Sequence, residues 1–274
     1  MAKITLLDGG MSRELERCGA TLRQPEWSGL ALMNEPEKVV QAHRNFVAAG
    51  AQVITTNSYA VVPYHLGQAR FDQDGAMLAD RSGQLARQAA ATGADMRVAG
   101  CLPPVCGSYE PENFKLEDAR AILPVLVENL APHVDLWLGE TLSSIAEARA
   151  TAEAVAGSDL PLWISYTLRD ETPDQLDTPV LRSGESVADA VTAAMEAGAQ
   201  AVLFNCSMPE AMEPAIKAAR QIIRLAGRDI PVGVYANAFT AEDEGAANEV
   251  LSGLRKDLDP AGYATWVDRW IGAG

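Results

Sequence analysis

The sequence predicts an α/β protein, a (β/α)8 barrel whose eighth strand is missing from the chain. Three observations lead there. Short β-type runs alternate with Ala-rich helical segments from end to end of the 274 residues. Most of the β-type runs are nearly continuous apolar stretches without strict alternation, as expected of parallel strands covered on both faces. No linker-like stretch interrupts the series, so residues 1–274 are expected to form a single, C-terminally incomplete barrel domain.

The strand candidates are Ile4–Leu7, Val53–Thr56, Arg97–Gly100, Val134–Gly139, Leu162–Thr167, Ala201–Asn205 and Val232–Tyr235. Between them, Asn34-Glu-Pro-Glu37 offers an N-cap side chain, a first-turn proline and an acid at the third helical position. Val39, Val40, His43, Phe46 and Val47 then recur at helical spacing until Gly50. Ser144 with Glu147, closed by Gly157, repeats the scheme, and so does Ser186 with Asp189, closed by Gly198. An internal echo links distant units. Ala49-Gly-Ala-Gln-Val-Ile-Thr-Thr-Asn57 resembles Ala197-Gly-Ala-Gln-Ala-Val-Leu-Phe-Asn205, with a looser copy at Thr92–Gly100. Each copy reads as a helix end, a glycine suited to left-handed backbone, and a buried strand. The last helix carries Tyr263, Trp266, Val267, Trp270 and Ile271 and ends in Gly272-Ala-Gly274, the same overture. Seven strands leave an open barrel with two unpaired edges, so the eighth is expected past Gly274.

Composition excludes several roles. With 22 Lys+Arg against 37 Asp+Glu, the net charge of −15 repels phosphate backbones and anionic headgroups. Neither nucleic acid nor a membrane is expected as a partner. No apolar run approaches the roughly 18 residues of a bilayer span, and the N-terminus lacks a signal peptide's apolar region. The expected location is the cytoplasm, where the four scattered cysteines (Cys18, Cys101, Cys106, Cys206) stay reduced.

In such a barrel, chemistry sits at the C-terminal ends of the strands. That position gathers Asp8-Gly9-Gly10, Thr56-Asn57-Ser58, Cys101, Glu140-Thr141, Ser165-Tyr166-Thr167, Asn205-Cys206-Ser207 and Tyr235-Ala-Asn237. The set is acidic, contains thiols and has no histidine. His43 falls on a helix face, His65 in a loop and His133 at a strand entry, so a Ser-His-Asp or Cys-His system is not expected. No phosphate loop occurs. Asp8 and Glu140 could each donate a carboxylate to an ammonium group, and Gly9 and Gly10 could let a small ligand reach the backbone. Cys206 could be a buried thiol, a nucleophile or a metal ligand. Cys101 and Cys106 lack a standard ligand spacing with it.

The motifs Leu7-Asp-Gly-Gly-Met11, Thr55-Thr-Asn-Ser-Tyr59, Asp135-Leu-Trp-Leu-Gly-Glu-Thr141, Trp163-Ile-Ser-Tyr166, Asn205-Cys-Ser-Met-Pro209 and Val232-Gly-Val-Tyr-Ala-Asn237 occur in order. Together they resemble the homocysteine S-methyltransferase family, which includes betaine-, S-methylmethionine- and S-adenosylmethionine-dependent enzymes. The resemblance implies a (β/α)8 barrel and methyl transfer from a sulfonium or quaternary ammonium donor to the zinc-activated thiolate of homocysteine, giving methionine. It implies zinc held by three cysteines, of which Cys206 matches the first; the other two, an adjacent pair, have no counterpart. It further implies Glu140 and Cys206 as catalytic residues. Asp8, Gly9, Gly10, Asn57, Glu140 and Asn205 are implied as substrate-binding residues. A cationic donor favours aromatic faces, for which Trp27, Tyr59 and Tyr109 are placed in loops.

Two other readings stand beside it. One is a catalytically silent barrel that binds an amino acid through Asp8 and Glu140, and the other a metal-free barrel enzyme using Glu140 as acid and base. Donor choice is expected to reside in residues 59–81, 102–116 and 168–186. The last segment, with Asp170, Glu171, Asp174 and Asp177, reads as a mobile lid or a solvated loop, the loop being preferred.

Overall fold

The structure is a computed structural model that describes residues 4–170, 178–238 and 255–274. It is an α/β fold with a parallel six-stranded sheet whose strands follow one another in chain order, an arrangement consistent with a partial TIM barrel. The chain divides into two compact units. One takes in Met1–Cys106, Glu117–Leu138 and Ala154–Pro161; the other takes in Gly107–Leu116, Gly139–Glu153 and Leu162–Gly274.

The first unit contains α1 (Met11–Arg17), α2 (Ser28–Asn34), α3 (Pro36–Ala48), β1 (Val53–Thr55), α4 (Pro63–Leu66), α5 (Gln68–Ala90), β2 (Arg97–Leu102), nearly all of α6 (Leu116–Leu130) and the start of β3 (Leu136–Leu142). β1 and β2 pair in parallel, Val53 against Arg97 and Thr55 against Ala99. Between the helices, Leu15 of α1, Ala31 of α2 and Val39 and Ala42 of α3 form a buried cluster that Met11, Leu22 and Leu85 cover in part.

The second unit continues β3 and adds α7 (Ile145–Ala154), β4 (Leu162–Tyr166), α8 (Val187–Glu196), β5 (Ala201–Asn205), α9 (Pro209–Leu225), β6 (Val232–Tyr235) and α10 (Pro260–Ala273). β4, β5 and β6 pair in parallel, and every residue of β5 is buried. Both serine caps form. Ser186 accepts from the amide of Asp189, and Ser144 and Glu147 cap each other's backbone amides at the start of α7.

Four sequence expectations need correction. Ile4–Leu7 is not a strand: only Leu7 bridges to Val53, and Ile4 and Leu6 are 58% and 51% exposed. The backbone of Leu6 and Asp8 still bonds to Gln52 and Val53, so the segment runs beside β1 without the cover a buried strand needs. Asn34 does not cap α3. It ends α2, and Glu35 takes the cap position while its carboxylate accepts from the amide of Thr21. In the loose third echo the left-handed residue is Asp95 (φ 54°) rather than Gly93, whereas Gly50 (φ 99°) and Gly198 (φ 82°) behave as expected. Finally, the described ends of the 168–186 segment are not a solvated loop. Leu168 and Leu181 are fully buried and bridge to each other, and Asp170 pairs with Arg182 at 2.9 Å. Glu171, Asp174 and Asp177 lie outside the described residues.

Candidate active site

In the first unit, the expected residues collect where β1 and β2 end. Both Asp8 carboxylate oxygens accept from Thr55, one from its amide (2.7 Å) and one from its hydroxyl (3.0 Å). Gly9 and Gly10 follow in exposed backbone. A methyl at Gly10 would meet nothing within 4 Å, whereas one at Gly9 would touch the Phe46 ring at 3.0 Å. Asn57 is buried, and its amide donates to the Ser28 carbonyl at 3.2 Å. The neighbouring hydroxyls serve structure. Thr56 and Ser58 lie 2.9 Å apart, Ser58 donates to the Cys101 carbonyl, and Thr56 accepts from the Cys101 amide. Cys101 is thereby sealed inside β2, and the Cys106 sulfur lies 4.0 Å from an Asp118 carboxylate oxygen.

Close by in this unit, Trp27, Tyr59 and His65 form an aromatic cluster with ring centroids 5.9–6.4 Å apart. His65 lies in helix α4 rather than in a loop. Its Nδ1 is 2.9 Å from the Pro25 carbonyl, so Nδ1 carries the hydrogen, and burial pulls the imidazole pKa down; the ring is neutral. His43 is fully enclosed, with its pKa pushed down to about 4 by desolvation, and His133 bonds to Asp80 at 2.7 Å. All three histidines belong to the first unit.

The second unit gathers Glu140, Thr141, Ser165, Asn205, Cys206 and Tyr235. β3 extends past the expected end at Gly139, so Glu140 and Thr141 belong to its last turn of pleat. Tyr235 donates its hydroxyl to Glu140 Oε1 at 3.0 Å. Burial and the nearby Glu140 charge raise the Tyr235 pKa well above 10, so the phenol stays a donor at any working pH. Asn205 is fully buried and spends its amide on neighbours. Its Oδ1 accepts from the Thr141 amide (3.1 Å) and the Ser165 hydroxyl (2.6 Å), and its Nδ2 donates to Thr141 Oγ1 (2.8 Å). Thr141 Oγ1 then donates toward Cys206 Sγ at 3.8 Å. Tyr166 does not join this set: its hydroxyl reaches outward to the Ala190 carbonyl of α8.

Cys206 is partly exposed as a residue, but its sulfur is deep enough that desolvation is the largest influence and raises the thiol pKa. The Glu140 charge raises it further, while hydrogen bonds from Thr141, Tyr109 and Asn205 act the other way. Sequence reasoning missed the strain around this sulfur. Tyr109 (φ 69°), Thr141 (φ 62°) and Cys206 (φ 51°) all take left-handed backbone, at a cost of about 1–3 kcal/mol each. Nothing in a tyrosine, threonine or cysteine codon signals this in advance. Arg182 was missed as well; it stacks 4.4 Å above the Tyr109 ring and bonds to Asp170, which accepts from the Met208 amide.

A family comparison decides what this arrangement belongs to. The sequence profile of homocysteine S-methyltransferases matches residues 5–274. The chain belongs to the homocysteine S-methyltransferase family. Among its relatives, Homocysteine S-methyltransferase 1 of Brassica oleracea var. italica is 28% identical over 96% of this chain and 85% of its own length. The Escherichia coli (strain K12) homocysteine S-methyltransferase is 32% identical over 65% of this chain and 63% of its own. The crystal structure of the Escherichia coli homocysteine methyltransferase MmuM in its metallated form superimposes with a TM-score of 0.76 at 27% identity, covering all of this chain and 89% of that one. As a member of the homocysteine S-methyltransferase family, the chain is an enzyme. Among its described residues, no three His, Cys, Asp or Glu side chains converge as metal ligands, so the donors on view do not complete a metal site around Cys206. Also among the described residues, no helix is long and apolar enough to cross a membrane.

Proposed function

We propose that the protein transfers a methyl group from a sulfonium or quaternary ammonium donor to the sulfur of homocysteine, forming methionine. The observation that carries this reading is the second-unit cluster: the Cys206 thiol beside a carboxylate held by Tyr235, in a chain of this family. Glu140 accepts hydrogen bonds from the substrate ammonium, and Tyr235 fixes the carboxylate for that task. The family resemblance gives Asp8 the same task. The same resemblance is our ground for proposing Gly9, Gly10 and Asn57 as substrate-binding residues. The Trp27–Tyr59 rings offer π faces to a cationic donor.

The reaction itself asks little acid–base work of the chain. The homocysteine thiol gives up its proton to solvent, its sulfur attacks the methyl carbon in line, a C–S bond forms, and the donor's bond to that methyl breaks. The electron pair leaves with the donor, which departs neutral. The chain contributes alignment, which is where most of the acceleration of a two-substrate displacement arises. Zinc is the metal we propose for the site, with Cys206 as a ligand; bound there, it would supply the Lewis acidity that lets a thiol ionise at neutral pH. It needs further donors beyond those the described residues bring to Cys206.

Two measurements test the reading. Metal content of the purified protein should show zinc that is lost in Cys206→Ala, and Glu140→Gln should weaken homocysteine binding about tenfold or more. Homocysteine binding that Glu140→Gln weakens, in a protein whose metal content Cys206→Ala leaves unchanged, favours the silent amino-acid-binding reading instead.

A further inference from the structure

Asn205 sits where a substrate contact is expected, yet its side-chain oxygen and nitrogen are both engaged by protein. Oδ1 takes hydrogen bonds from the Thr141 amide and the Ser165 hydroxyl, and Nδ2 gives one to Thr141 Oγ1. Asn205 and Ser165 are fully buried, and Thr141 is nearly so. Thr141 is thus held from two sides, amide and hydroxyl, by one primary amide. The same residue has φ 62°, a conformation that a β-branched side chain avoids unless its surroundings impose it. Thr141 follows Glu140 directly in β3, so anchoring its amide anchors the peptide plane that the two residues share. The Thr141 hydroxyl, oriented by accepting from Asn205, has its own hydrogen directed at Cys206 Sγ.

We infer that Asn205 and Thr141 form a positioning unit that sets the Glu140 carboxylate and the Cys206 sulfur together, by holding Thr141 in left-handed backbone with its hydroxyl aimed at the sulfur. Asn205 is a positioning residue, and Thr141 is the strained hinge through which it acts. A leucine-like isostere at 205 would fill the space but release both ends of the hinge, and aspartate would accept from the amide but could not donate to the hydroxyl. The catalytic consequence rests on the proposed methyl transfer to homocysteine; the geometric one does not.

The test therefore has two arms. In a crystal structure of Asn205→Ala, Thr141 should leave left-handed backbone for negative φ and Glu140 should lose its bond to Tyr235. Thr141 remaining near its present φ, with the Glu140–Tyr235 bond intact, overturns the inference whatever the enzyme's substrate. Should Asn205→Ala fail to fold, Asn205→Leu, which also releases both ends of the hinge, carries the same comparison. The kinetic arm compares Thr141→Val with Thr141→Ser. The serine keeps the hydroxyl, so kcat with saturating homocysteine should fall about tenfold or more in the valine relative to the serine, at similar thermal stability. Equal losses in the two, tracking their melting temperatures, mean a merely structural threonine. If wild-type protein transfers no methyl group at all, the functional reading fails, while the crystallographic arm still decides the positioning unit.

Discussion

Tyr235 shows how one hydroxyl tunes the proposed site. It donates to Glu140 at 3.0 Å and stays protonated in the working range, so one carboxylate oxygen is held in place. Removing a hydrogen bond to a charged group costs about 1.5–3 kcal/mol. Tyr235→Phe should therefore raise the KM for homocysteine about tenfold, with a smaller change in kcat, because the bond is present before and during the reaction. Steady-state kinetics check this; an unchanged KM would mean that Glu140 is oriented by something else. At this scale the sequence was informative about residue type and mute about conformation. The carboxylate at 140 and thiol at 206 stood out because polar groups directly follow apolar strands. The left-handed backbone of Thr141 and Cys206 could not be read, since threonine and cysteine carry no preference for it.

The elements were legible where a side chain satisfies its own backbone. Ser186 and the Ser144–Glu147 pair cap their helices because each places an oxygen within reach of orphan amides, a local property that sequence spacing encodes. Asn34 misled because α2 runs through it, a tertiary choice the local pattern does not contain. Ile4–Leu7 misled because apolar content predicts a strand but not whether neighbours cover it. Gly100 in β2 illustrates a requirement that only packing reveals. A Cβ there would lie 2.8 Å from the indole of Trp137, a fully buried ring whose nitrogen donates to Ser158 at 2.9 Å. Gly→Ala usually gains about 0.4–1 kcal/mol through the unfolded chain, but overpacking costs about 1–3 kcal/mol, so the clash wins. Gly100→Ala should lower stability by about 1–2 kcal/mol in denaturant unfolding. A stabilised variant would show that Trp137 has room to yield.

Across the whole chain, two buried groups bend the pH dependence of stability in opposite directions. His43 has both ring nitrogens buried without partners, and desolvation pushes its pKa from 6.5 down to about 4. The unfolded chain then binds a proton that the folded protein refuses, so the stability tied to His43 is present above pH 6.5 and is lost as pH falls toward 4. Glu147 is raised from 4.5 to about 7, chiefly by burial, against the hydrogen bonds that cap α7. Here the folded state holds the extra proton, so its stability is present below pH 4.5 and is lost as pH rises through 7. Each effect is worth about 3 kcal/mol, and the two slopes oppose each other where their windows overlap. His43→Leu should gain stability over wild type as pH falls from 6.5 to 4, and Glu147→Gln should gain as pH rises from 4.5 to 7. Denaturant unfolding across that range checks both; either difference running the other way contradicts its assignment. The most direct test of the central claim is product formation. Incubated with homocysteine and a donor carrying an isotopically labelled methyl on sulfonium or quaternary nitrogen, the metal-loaded protein should yield methionine bearing the label, and Cys206→Ala should not. Labelled methionine at equal rates from both proteins, or from neither with every such donor, would contradict it.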